Sequence, residues 1–333
     1  MRISPGKILI YLSPVIIGIF ALFTGSYGIS FSSMLHNIHD ALFVSGNFSD
    51  IPEKSVLFDI RLPRIILASL AGGALSVSGV TLQGLFRNPL VDPFILGISA
   101  GAALGCSLSI GFFPGIPVQP MAFLFAVSAV VIALVTARSG GEISRLPLIL
   151  SGVIVSAFFS ALVSIVKFLV DPHKLQNIVY WLMGSFALAD WKMVRIAAIG
   201  IFAGFIPVYL MRWRLNVMSM GESEAKTLGF NVAIERIVFI SASTLMVSIA
   251  VSVSGIIGWV GLMVPHLIRM YSGPDHRVLV PLCMAGGASF MIISDTIARS
   301  MTELDIPVGI ITAILGAPFF IYLMKKSGSE SWG

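Results

Sequence analysis

The side chains able to do chemistry are few in this 333-residue sequence, and they do not gather. His36 and His39 stand three apart, a spacing compatible with a metal ion, but no third ligand accompanies them. His173, His266 and His276 are scattered, so no metal site is expected. Cys106 and Cys283 both fall in apolar segments and read as small buried hydrophobes rather than as a disulfide or metal pair. Lys167 and Asp171, four apart, can pair on one helix face, but snorkelling to the interface is the simpler account. Residues 221–227 end in Lys-Thr in the manner of a phosphate loop. Ala225, however, stands where a glycine should precede the lysine, and no apolar strand leads in, so no nucleotide site is expected. What remains is arginine: Arg61 and Arg64 open one apolar stretch and Arg299 closes another. A guanidinium is a planar fork suited to bidentate carboxylate recognition. Within the chain the partners on offer are Asp59 and Asp295, with lipid headgroups as the alternative.

The elements that must hold these residues are apolar helices. Of all residues 56% are hydrophobic and only 11% charged, with a mean hydropathy of +0.96. A soluble domain carries about 25% charged residues, so this chain lacks the polar surface for solution. Residues 61–105 show how such helices would meet. They are crowded with Gly, Ala and Ser and are broken by a polar turn at Asn88, Pro89, Asp92 and Pro93. Small side chains let helix backbones approach closely where no hydrophobic effect holds them together, and Gly97, Gly101 and Gly105 lie four apart along one face.

A span needs about 20 predominantly apolar residues. Ten candidates are predicted, near 8–27, 62–82, 94–110, 117–137, 146–170, 194–211, 234–253, 258–270, 279–299 and 307–324. The eighth is too short to cross alone and should pack within protein, where neighbours can tolerate Pro265. Residues 8–23 lack a small-residue cleavage site and read as a first span rather than a cleaved signal. The expectation is an all-α integral membrane protein, a polytopic bundle of ten helices forming one domain over residues 1–333. Of the 21 lysines and arginines, thirteen fall on the side that holds the N-terminus. Lysine and arginine favour the inside, so both termini should be cytoplasmic. Trp181, Trp191, Trp213 and Trp259 lie near span ends, as interfacial anchors do.

The longest cytoplasmic connection, residues 212–236, is predicted to carry a helix of its own. Ser219 with Glu222 three residues on is a capping-box pattern. Glu222 and Lys226 follow in the favourable i, i+4 order, and Gly229 supplies a left-handed stop. That helix would present Ala225 and Leu228, either to a docked cytoplasmic partner or to the membrane surface.

Six segments in order, RLPR (61–64), QGLFRNPLVDPFILGISAGAALG (83–105), GESEAKTLG (221–229), GWVGLMVPHLIR (258–269), DTIAR (295–299) and PVGIITAILGAPFFIYL (307–323), resemble the FecCD-type permeases. These are the ten-helix membrane subunits of ABC importers for iron-siderophores, haem and cobalamin, and some relatives carry molybdate or tungstate. The resemblance implies a cell-membrane homodimer, two cytoplasmic ATPase subunits that hydrolyse the ATP, and an extracytoplasmic substrate-binding protein. No cofactor and no nucleic acid are implied. It makes residues 221–229 the coupling helix, with Gly221, Glu222, Ala225, Lys226, Leu228 and Gly229 at the ATPase. It makes Arg61, Arg64 and Arg299 the docking arginines for carboxylates of the binding protein. Asn88, Pro89 and Leu90 become the cytoplasmic gate, with Ser151 and Gly152 as a second gate. His266, inside a family motif, is expected to be a structural hydrogen-bond partner. One departure stands out: Asp305-Ile306-Pro307 replaces the usual Glu-Leu-Pro before the last span. An ion-driven secondary transporter would need intramembrane carboxylates, of which Asp295 is the main one, and a membrane enzyme would need a clustered constellation that the spans lack.

Overall fold

The computed structural model describes residues 5–25, 52–139, 142–301 and 305–327. Among the described residues the regular elements are helices, apart from one short antiparallel pair between Arg138–Ser139 and Glu142–Ile143. A helix sits on every one of the ten segments that hydropathy singled out. They are α1 Pro5–Phe23 and α2, an unbroken rod made of a turn Pro52–Ser55, a π-helical stretch Val56–Arg61 and the α-helix Leu62–Phe86. Then follow α3 Ile98–Phe112, α4 Val118–Ala137 and α5 Arg145–Leu169. An unforeseen helix, α6, covers Pro172–Leu182. After it come α7 Trp191–Met220, the short α8 Glu222–Thr227, α9 Val232–Ser254, α10 Val260–Ser272, α11 His276–Ser300 and α12 Val308–Ser327. Seven of these helices are long and apolar enough to cross a membrane.

The helix α2 is the axis of the bundle. Nearly every residue from Pro63 to Phe86 is buried, and α7, α9, α10 and α11 pack around it. Closeness comes from glycine. A methyl group on Gly72 would fall on the carbonyl oxygen of Gly287 in α11, and one on Gly287 would fall on that of Gly72. The predicted glycine row behaves likewise, because methyls on Gly101 and Gly105 of α3 would meet the backbones of Phe125 and Met121 in α4. This is helix association by backbone approach rather than by bulky apolar area.

Two boundaries differ from expectation, and one short segment packs as expected. The third apolar segment opens with a 3-10 turn, Pro93–Leu96, and Gly97 at φ +87°, so α3 starts only at Ile98. The polar turn before it consumes that length. The eighth segment, α10, is 13 residues long and buries Val260, Met263, Val264, Pro265 and Ile268, so it packs within protein. The helix α7 continues to Met220 over 30 residues, about 45 Å at 1.5 Å per residue. Residues 212–220 are therefore helix, not loop. Arg212 and Arg214 end the hydropathy signal without ending the backbone pattern.

Candidate coupling, gating and docking sites

At the end of α7 the chain turns sharply into α8. Ser219 is inside α7 and its hydroxyl donates back to the carbonyl of Asn216 at 2.9 Å. The capping box is thus not formed, and Gly221 occupies the position before α8. The stop is as read: Gly229 has φ +83°. Its N–H donates to Lys226 at 3.0 Å and that of Phe230 to Ala225 at 3.0 Å, the paired bonds of a Schellman ending. Phe230 then packs edge-on against Trp213 of α7, with ring centroids 5.5 Å apart.

This seating decides which side of α8 faces out. Ala225 is fully buried, so its methyl wedges the helix against its neighbours and is not presented to a partner, contrary to the sequence reading. Leu228 is 58% exposed, and Ser223, Glu224, Lys226, Thr227 and Gly229 are exposed beside it. The Glu224 carboxyl lies below the usual carboxylate range because its own helix-start amide and the Ser223 hydroxyl donate to it. Glu222 looks the other way. Its Oε1 lies 2.6 Å from a terminal guanidinium nitrogen of Arg236 at the start of α9 and 3.1 Å from Nε of Arg145, the first residue of α5. Next to it Arg214 of α7 meets Glu235 of α9 at 2.5 Å. An open depression of about 380 Å³ borders these groups, lined by Arg87, Arg145, Met220, Gly221, Glu222, Ser223 and Glu224.

Arg87 belongs to the polar turn after α2. It takes a left-handed conformation, φ +53°, which ends α2 without a glycine. Asn88 accepts from the Leu90 amide at 2.9 Å, and Asp92 caps the 3-10 turn through the Phe94 amide at 2.8 Å. Gln83 ties the turn to α10. Its amide donates to the carbonyls of Gly261 at 3.2 Å and Val91 at 3.4 Å, while its oxygen accepts from Arg269 at 2.9 Å. Asn88 and Leu90 are exposed and Pro89 is half-buried. Ser151 is buried, and a methyl on the adjacent Gly152 would strike the carbonyl of Ile95. Gly152, two turns into α5, therefore presses on the 3-10 turn Pro93–Leu96.

The outer arginines are turned inward. Arg61, Arg64 and Arg299 are all buried. Arg64 grips Asp295 with Nε and a terminal nitrogen at 2.9–3.0 Å, and its other terminal nitrogen donates to Asp305 at 2.9 Å. Arg61 donates to the carbonyl of Leu22 at 2.6 Å, and Arg299 donates to that of Ala21. In an apolar bundle a guanidinium must satisfy its donors locally. The end of α1, the start of α2 and the end of α11 are thereby stitched together. Asp295 was a foreseen partner, whereas Asp59 accepts from Ser55 at 3.0 Å. Asp305, which sequence reasoning missed as a partner, lies 241 positions from Arg64.

Other expectations resolve locally. His36 and His39 lie outside the described residues, and among the described residues no group of three or more potential ligands is placed to hold a metal. His266 packs against Phe319 and Phe320 at 6.3 Å from each ring. Among the described residues its Nδ1 has no hydrogen-bond partner, and the contacts it makes are aromatic. Asp171 caps α6 through the Lys174 amide at 3.0 Å, not a helix-face pair with Lys167. Trp259 adopts φ +74°, a strained conformation for a bulky residue.

The FecCD transport family matches residues 13–326. A probable iron chelatin transport system permease protein of Helicobacter pylori is 44% identical over 82% of this chain and 83% of its own length. The molybdate import system permease protein of Haemophilus influenzae is 39% identical over 94% of each chain. A solved inward-facing structure assigned to the metal-chelate type of ABC transporter superposes with a TM-score of 0.86. It is 38% identical and covers 97% of this chain and all of that one. Helical architecture, motif order and overall likeness agree: the chain belongs to the FecCD transport family and is a multi-pass membrane permease of an ABC importer.

Proposed function

We propose that this chain is one half of a homodimeric pathway that carries a metal chelate across the cell membrane. Two cytoplasmic ATPase subunits drive it and an extracytoplasmic binding protein supplies it. The observation that carries this reading is α8, a capped six-residue helix pinned between α7 and α9 with its outward face left open. In this arrangement α8 is the coupling helix, and its contact face is Leu228, Lys226, Thr227 and Gly229, with Glu222 and Ala225 seating it. All ten apolar helices span the membrane or pack within it, both termini are cytoplasmic, and α8 and the Asn88–Pro89–Leu90 turn share that side. Gly152 of α5 abuts Ile95 in the Pro93–Leu96 turn that follows Asn88–Leu90, so movement of α5 reaches the gate through that turn. The subunit itself performs no covalent chemistry.

The outer arginines mark the face on which the binding protein docks. Arg61 and Arg299 hold the helix ends that form this face. The Arg64 fork has a partly exposed partner, since the Asp305 side chain is 37% exposed and that of Asp295 only 2%. A docked carboxylate would compete with Asp305 there.

Ferric siderophore, haem and cobalamin all fit the chelate reading. Molybdate is a second reading, favoured by the relative that matches 94% of this chain. Uptake into proteoliposomes holding the permease, its ATPase and its binding protein tests both. Labelled ferric siderophore, haemin, cobalamin and molybdate are each offered with and without ATP on the nucleotide-accessible side. ATP-dependent uptake of one ligand is expected, and uptake that follows an ion gradient and ignores ATP contradicts the proposal.

A further inference from the structure

The ion pairs around α8 are arranged unequally. Glu222 is a single carboxylate shared by two arginines from different elements. Arg236 comes from the first turn of α9, the element that α8 leads into, and its side chain is only 4% exposed. It makes the shorter contact, 2.6 Å, and suffices to seat α8 on its own neighbour. Arg145 is different. It belongs to α5, which is distant in sequence and which places Gly152 against the turn of Pro93–Leu96. Its side chain is 21% exposed and its contact is longer, 3.1 Å, beside the open depression that Arg87 also lines.

We propose that Arg145 is the positioning residue that transmits movement of α8 to α5 and so to the Asn88–Leu90 turn, through Glu222. This rests on the reading of α8 as the coupling helix. The route is contiguous: α8 holds Arg145 by charge, Arg145 begins α5, and the Gly152 turn of α5 abuts the carbonyl of Ile95, seven residues from Asn88. A contact between half-exposed charges suits this task. It is weak enough to be remade as the elements shift and strong enough to bias them. Arg236 holds, and Arg145 couples.

The test uses the whole importer in proteoliposomes and the ligand that the wild-type complex takes up from the four-member panel. The measured quantity is ligand transported per ATP hydrolysed, read beside the amount of ATPase that co-purifies. Arg145→Gln should retain the ATPase at the wild-type ratio while transport per ATP falls about tenfold. Arg145→Lys, which keeps the charge without the fork, should recover most of that loss. Combining Arg145→Gln with Glu222→Gln should do no more than Glu222→Gln alone, because contacts on one route are not additive. An unchanged transport ratio in Arg145→Gln, or losses that multiply in the double variant, would overturn the proposal. Loss of the ATPase from both Arg145 variants would overturn it too, because Arg145 would then be a seating residue like Arg236. Wild-type uptake in the same experiment reads the importer assignment separately.

Discussion

Two ionic clusters lie at opposite ends of the bundle, and they are built on opposite rules. The outer cluster satisfies the Arg64 fork with two carboxylates, and Asp295 is almost wholly enclosed. The cluster at α8 gives one partly exposed carboxylate, Glu222, to two arginines. Removing one partner of a buried pair strands a charge and costs about 3–5 kcal/mol, whereas exposed pairs contribute about 0–1 kcal/mol. The outer cluster is a fixed clasp joining α2, α11 and the segment before α12. In the proposed coupling, the cluster at α8 is a joint between elements that move.

That contrast can be broken in measurable ways. Asp295→Asn leaves Arg64 buried without its principal counter-charge. It should cost about 3–5 kcal/mol in SDS-titration unfolding from mixed micelles, and a cost below about 1 kcal/mol would mean the clasp is not closed. Ala225→Leu overfills a fully buried seat and should cost about 1–3 kcal/mol locally, seen as faster proteolysis at α8 and loss of the ATPase. Asp305→Asn removes only the partly exposed half of the clasp and should cost about 0–1 kcal/mol. It should also tighten the binding protein in a pull-down if Asp305 competes for Arg64. Leu228→Lys should change stability least, within about 0.5 kcal/mol as for ordinary surface changes, yet abolish ATPase association. The pair Ala225 and Leu228 thus separates seat from contact.

Much of this was legible in the sequence because membrane helices announce themselves by hydropathy and by small-residue spacing. All ten apolar segments carry helices, and Gly101 and Gly105 meet the backbone of α4 as their spacing implied, while Gly97 stands in the turn before α3 against side chains. Gly229 ended α8 where a left-handed residue was needed. Three things were hidden for physical reasons. The helix α7 outran its apolar stretch because Arg212 and Arg214 are good helix formers, so hydropathy stopped where the backbone did not. The inward turn of Ala225 depends on the packing of Phe230 against Trp213, which local spacing does not encode. The partner Asp305 reaches Arg64 only through the folded bundle, so its pairing is a tertiary fact.

The most direct test of the account places a cysteine at Leu228. Cys106 and Cys283 are buried, so a thiol-to-amine cross-linker added to the membrane-embedded importer should react at the new site alone. The account predicts a cross-link from Leu228→Cys to the ATPase, reversed in extent by the nucleotide cycle, and none from Lys192→Cys at the exposed start of α7. A cross-link from position 192 and none from position 228 would contradict both the orientation of the bundle and the role of α8.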